Sequence, residues 1–254
     1  MHLMYTIKKF NHRVGFVKTQ RKKRSAGVVH AFSSRRYPIV KAIVDGQGDS
    51  AQSLADKVGE KILKQIISEK LPAGTPLTTV GLAQSLGVSR TPVAKALAKL
   101  AADGILLQPN NQNAVVCAEA STWLVQCRRL RNILEPEAAS CAAGRIDAQA
   151  LDDLWSLSRE ARPDIDFDWT PAAIFFDAAL HLSIAEFCGN LPMKVSIRRC
   201  WTYKRLAYGM YPLSKARLKL EYEQHVAILK ALAAGDSEGA WKAMTEHLQA
   251  AWRK

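Results

Sequence analysis

The stretch from Leu82 to Gly104, "LAQSLGVSRTPVAKALAKLAADG", constrains this 254-residue chain more than any other. Leu82, Ala83 and Leu86 predict a short helix, and Gly87 suits its C′ position. Only the turn "VSR" separates that helix from the next. Thr91 is a candidate cap for the second helix, with Pro92 at its first position, where a missing N–H costs nothing. Val93, Leu97 and Leu100 make its inward face, and Gly104 ends it. Two helices joined by so short a turn meet at a corner.

The flanks extend this corner into a domain over residues 51–117. Leu54, Val58, Ile62, Leu63, Ile66 and Ile67 form a helical stripe that "PAGTPL" (Pro72–Leu77) stops. After Gly104, "ILLQ" and "AVVC" read as two short strands around the turn "PNNQN". Three helices and a β-hairpin make a winged helix-turn-helix. Its third helix would enter the major groove of DNA with Ser89, Arg90 and Thr91 nearest the bases and phosphates. The same helix order also serves as a plain packing corner, and spacing alone leaves both readings open.

Charge separates the rest of the chain. Of the formal net charge of +13, residues 1–40 carry +10, with no acidic residue, while residues 118–254 are nearly neutral. The run Arg21–Arg24 and the linker-like "DGQGDS" predict a basic, disordered tail over residues 1–50. A basic arm that adds non-specific attraction to phosphate is the sharper alternative. No apolar run approaches the ~18 residues of a membrane span, so no membrane partner is expected. The N-terminus lacks the apolar core of a signal peptide. Five scattered cysteines form no CxxC and suit the reduced thiols of a cytoplasmic protein.

Past residue 118 no strand alternation survives. Six helical segments follow, at 121–145, 147–161, 170–190, 192–211, 213–236 and 237–252, and their short connections predict an all-α antiparallel bundle. The chain is therefore expected to be mainly α. Three of its six histidines fall in this half. Asp177 and His181 share a helix face four residues apart. His225 lies ten residues before Gly235 and His247 eleven after Asp236, so both stand roughly 15–17 Å from the break between their helices. In an antiparallel hairpin they are level, and both share a face with apolar residues. Three imidazoles and a carboxylate converging inside a bundle suit a divalent transition metal.

The reading head, "LAQSLGVSRTPVAKALAKLAADGILL", resembles that of GntR-type bacterial transcription regulators, in which "GVSRTPV" is a specific motif. The resemblance implies Ser89, Arg90 and Thr91 as operator contacts, and Lys95 joins them on the DNA-binding side. It departs at Val80 and Ala94, where the family often has arginine, at Lys95, where it is commonly acidic, and at Gln112–Asn113 of the wing. "FDAALHLSIAEFCGN", "EQHVAILKALAAGDSEGAWKAMTEHL" and "LRNILEPEAASCAA" are similar to the FCD effector-binding domain. That likeness implies Asp177, His181, His225 and His247 as ligands of a divalent metal, with Zn, Ni and Mn all compatible. It implies Arg131 as an inward cation able to meet the carboxylate of an effector. Leu180 and Gln224 replace a usual Phe and Glu.

These readings predict a ligand-responsive repressor or activator, not an enzyme. It would bind double-stranded operator DNA as a homodimer, under the control of a small organic acid. Two rivals remain: a bundle whose metal is purely structural, and a His3Asp metalloenzyme. The second needs a spare acid or base near the metal, and neither Glu186 nor Glu223 faces inward by helical phase.

Overall fold

A computed structural model describes residues 37–45, 53–108, 113–164, 168–210 and 214–250. The expectations for residues 1–36, and for the wing tip at 109–112, lie outside them. Among the described residues the fold is mainly α-helical, with a three-stranded sheet near the N-terminal end.

The first described helix, α1, is Pro38–Asp45. The reading head begins with α2 (Leu54–Ile67), capped by Ser53, whose hydroxyl accepts from Asp56 N. α3 (Thr79–Leu86) is capped by Thr78 and closed by Gly87 at φ 65°. α4 spans Arg90–Ala102, with Ser89 and not Thr91 at its N-cap. Pro92 therefore sits at the third helical position, still among the orphan N–H groups of the first turn, so proline remains harmless there. Val58, Ile62, Val93, Leu97 and Ile105 fill the core between these helices and the sheet. That sheet holds a strand the sequence did not suggest: β1 (Pro76–Leu77) pairs with β3 (Ala114–Val116), which pairs with β2 (Leu106–Leu107). A two-residue strand has no period to read, and its edge position tolerates Pro76.

A 3-10 turn at Ala120–Thr122 leads into α5 (Trp123–Ala142). Then come α6 (Ala148–Glu160), α7 (Thr170–Phe187), α8 (Leu191–Met210), α9 (Lys215–Ala233) and α10 (Ser237–Ala250). α7 is the axis of the bundle. It is buried on almost every side and packs against α5, α6, α8 and α9. The α9–α10 corner closes against the end of α5. Gly144 donates to Leu232 O at 3.2 Å, and a Cβ on Gly144 would lie 3.5 Å from Gly235 Cα. Both glycines have φ 70°, so a side chain at either is strained.

One expectation is corrected. Pro38–Asp45, read from sequence as part of the disordered tail, form the helix α1, which packs on α6 and α7. Tyr37, Val40, Ile43 and Val44 are buried in the core of the bundle. Both ends of α1 are capped from far along the chain. Asp153 Oδ2 accepts from Ile39 N at 3.0 Å and Val40 N at 3.2 Å, and Arg198 donates twice to Ile43 O. A helix of eight residues is unstable alone, and neither cap lies in its own sequence, so no local pattern announces it.

Candidate metal centre and DNA-reading face

Near the middle of the bundle, α7, α9 and α10 bring Asp177, His181, His225 and His247 to one point. All four are buried, and each offers a ligand atom within 4.8 Å of the others. Asp177 Oδ1 stands 3.3 Å from His225 Nε2 and 3.5 Å from His181 Nε2. His225 Nε2 is 3.4 Å from His181 Nε2 and 3.3 Å from His247 Nε2. A cation about 2.1 Å from each atom would space its neighbouring ligands about 3.0–3.4 Å apart. Among the described residues Asp177 Oδ1 is buried with no hydrogen-bond partner. Such an orphaned carboxylate oxygen, ringed by imidazole nitrogens, is the signature of a site shaped for a cation.

The tautomers agree. His181 Nδ1 faces Glu135 Oε2 at 2.7 Å, and His247 Nδ1 faces Gln224 Oε1 at 3.0 Å. Both partners only accept, so both Nδ1 atoms donate and both Nε2 lone pairs turn inward, as in metal-ligating histidines. Gln224, a departure from the usual glutamate, thus still holds the third imidazole. Burial pushes His181 down to about 4, outweighing the Glu135 carboxylate. Burial, then His225 and His181, hold His247 well below its ordinary value. Burial opposes ionisation of Asp177, but Lys204 and the two imidazoles hold it well below the usual carboxylate range. His181 and His247 are therefore held neutral beside an ionised Asp177, the protonation a metal requires.

Two residues of this centre escaped the sequence reading. Glu135, on α5, is a second buried carboxylate. It accepts from Arg131 Nε at 2.5 Å, Arg131 Nη2 at 3.0 Å and Trp201 Nε1 at 2.8 Å, besides His181. The signal was its place four residues after Arg131, which puts an acid on the inward face of the same helix. Although burial alone would raise it, Arg131 and His181 hold it below its ordinary value, so it stays ionised and fully bonded. Lys204, on α8, bonds Asp177 Oδ2 at 2.5 Å. Burial lowers its ammonium, and Asp177 opposes that shift. Arg131 does point inward, but two of its nitrogens are committed to Glu135. Glu186 instead pairs with Lys194 and Arg198, and Glu223 is exposed.

The reading face has the opposite character. Ser89, Arg90, Thr91 and Lys95 are all exposed on the outer side of α4. The hydroxyl of Ser89 makes no cap bond, unlike those of Ser53 and Thr78, so it is available outward. Beside it a shallow depression is lined by Val80, Gln84, Val88 and Arg90, among others. The two regions meet at the far end of α4. There Asp103 accepts from both Arg199 and Tyr203 of α8, and Arg199 donates to Ala102 O at 2.8 Å. Tyr203 is buried in the core of the reading head and meets Trp123 edge-on at 5.6 Å.

The assembly of a winged helix and a helical bundle has known counterparts. Residues 54–116 match the family described as bacterial regulatory proteins, gntR family, and residues 126–250 match the FCD domain. A relative described as a probable D-xylose utilization operon transcriptional repressor, from Paenarthrobacter nicotinovorans, is 30% identical over 208 residues, 78% of this chain and 87% of its own. This chain belongs to the GntR family. Its FCD-type bundle places it with regulators such as the putative L-lactate dehydrogenase operon regulatory protein of Escherichia coli (strain K12). That protein is 29% identical over 216 residues, 77% of this chain and 83% of its own. The solved E. coli McbR/YncC matches with a TM-score of 0.53 at 25% identity, over 79% of this chain and 96% of that one. GntR-family members bind DNA to regulate transcription, and these relatives are regulators, not enzymes. Among the described residues no helix is long and apolar enough to cross a membrane.

Proposed function

We propose that this GntR-family regulator senses a small organic acid at a divalent metal centre in its bundle and converts binding into a change of operator affinity. The observation that carries the reading is the orphaned Asp177 Oδ1, buried opposite imidazole nitrogens at 3.3–3.5 Å. Asp177, His181, His225 and His247 hold the ion, and Zn, Ni and Mn all suit that donor set. When bound, the ion supplies Lewis acidity and an open coordination position. Charge favours an anionic ligand. The buried carboxylates Asp177 and Glu135 are offset by Lys204 and Arg131, so a divalent ion leaves surplus positive charge. Arg131 holds Glu135 against His181 and extends the positive field in which the acid sits.

Ser89, Arg90, Thr91 and Lys95 contact the operator, with α4 in the major groove. Two copies bind a two-fold operator. Exposed Leu130 and Ile133 on α5, with Leu191 and Val195 on α8, supply apolar surface for the dimer. The route from effector to DNA is α8. Its Lys204 reaches the metal centre, and one turn away its Arg199 and Tyr203 grip Asp103 at the end of α4. A ligand that moves α8 moves the reading helix, by no more than its differential affinity for the two placements.

One relative is named for an L-lactate dehydrogenase operon, which makes L-lactate a reasonable first probe. Calorimetry of the full chain with L-lactate and acetate, before and after chelation, tests the sensor reading. Acid binding lost on chelation supports it. Binding that persists unchanged in a chelated protein of lower melting temperature identifies the metal as structural. Selection of bound sites from genomic DNA then supplies the operator on which acid should change affinity.

A further inference from the structure

We propose that Lys204, and not Arg131, is the residue that takes the effector's carboxylate, an inference that rests on the acid-sensor reading above. Both cations adjoin the centre, but only one is free to act. Arg131 is 5% exposed and spends Nε and Nη2 on Glu135. Drawing it toward a ligand would break both bonds and loosen Glu135, which also holds His181 and Trp201. A residue so committed is scaffolding for the third-party groups it orients.

Lys204 differs in each respect. Its side chain is 24% exposed, so it spans from the buried centre toward solvent. Its ammonium has three donors, and the one hydrogen bond recorded for it goes to Asp177 Oδ2 at 2.5 Å. It is flanked by rings, 4.1 Å from the Trp201 centroid and 5.3 Å from that of Tyr208. Such flanking holds a cation in place without using its N–H groups. Trp201, Lys204 and Tyr208 fall on one face of α8 at i, i+3 and i+7. Among the described residues the Tyr208 hydroxyl, one turn beyond Lys204, is buried without a hydrogen-bond partner. A buried hydroxyl with nothing to bond marks the side on which a polar ligand completes the site. A carboxylate seated beside Asp177 would accept from Lys204 Nζ and lie within this aromatic frame.

The test uses the full chain loaded with cobalt(II), whose visible absorption reports both metal uptake and a change in its ligands. Acetate is the probe and acetamide the uncharged control. Acetate should perturb the wild-type spectrum and acetamide should not. Lys204→Met should weaken acetate at least about ten-fold, the worth of one charge-assisted hydrogen bond, when each protein is compared at saturating cobalt. Lys204→Arg, which keeps the charge, should retain acetate within about three-fold, and it carries the test if the Met variant fails to fold. Unchanged acetate affinity in Lys204→Met, or a loss in the Arg variant as large as in a folded Met variant, overturns the proposal. So does a cobalt-loaded wild type that ignores acetate. A wild type that takes up no cobalt instead removes the metal-sensor reading itself, a separate failure.

Discussion

The reading head and the bundle place their polar residues in opposite ways. At the start of α4, Ser89, Arg90, Thr91 and Lys95 are exposed side by side. In the bundle, Asp177, Glu135, Arg131 and three imidazoles are buried, and all but Asp177 Oδ1 are tied into one network with Trp201, Gln224 and Lys204. A surface built to meet phosphate can be altered without cost to the fold. A buried polar network cannot, because each member satisfies another. The bundle must therefore respond to substitution as a unit, and the reading head residue by residue.

The largest effect expected from this contrast is at Glu135. Glu135→Ala leaves Arg131 as an uncompensated buried charge and should cost about 3–5 kcal/mol of stability in denaturant unfolding. It also frees the His181 ring, so metal affinity should fall about 10–100-fold in an indicator competition. A stable variant with full metal affinity would break the contrast outright.

Acidity gives the next effect. The metal-free protein holds His181 near 4, against an ordinary 6.5. Below 6.5 the unfolded chain binds a proton that the folded one refuses, so stability is complete above that pH and drains away as pH falls toward 4. The loss should be on the order of 3 kcal/mol, read from denaturant midpoints at several pH values. A flat profile across that window would mean that His181 is not buried neutral.

Arg90→Ala sharpens the other side. It should cost about 1–3 kcal/mol in operator binding, measured by fluorescence anisotropy. Stability should move by no more than about 0.5 kcal/mol. A comparable loss of stability would show that Arg90 supports the fold.

The smallest effect concerns the capped segment α1. Asp153→Ala removes the side chain that caps it and should cost about 0.5–2 kcal/mol. Amide exchange in residues 39–44 should rise with it. Unaltered protection there would mean that burial of Val40 and Val44 holds α1 without its cap.

Much of this molecule was legible before any coordinates. The recognition helix, its turn and its neighbours follow from local signals, namely apolar period, Gly87 and the caps. His225 and His247 could be matched in height because a helix rises by a constant amount per residue. The level placement of two histidines about a glycine break needs only secondary structure to read. Thr91 as cap stands two residues off, since Ser89 and Thr91 are both apt by type and only the backbone selects between them.

Residue order settles the helices from Leu54 onward and the inward, level placement of His225 and His247, because periodicity and capping act within a few residues. Packing alone reveals that Glu135 holds His181, that Lys204 leans over Asp177, and that Pro38–Asp45 joins the bundle. Each of these pairs residues 27 to 155 positions apart through contacts made only when helices dock. Burial turns a polar neighbour into an obligatory partner, and no one-dimensional pattern records which groups will lose their water together.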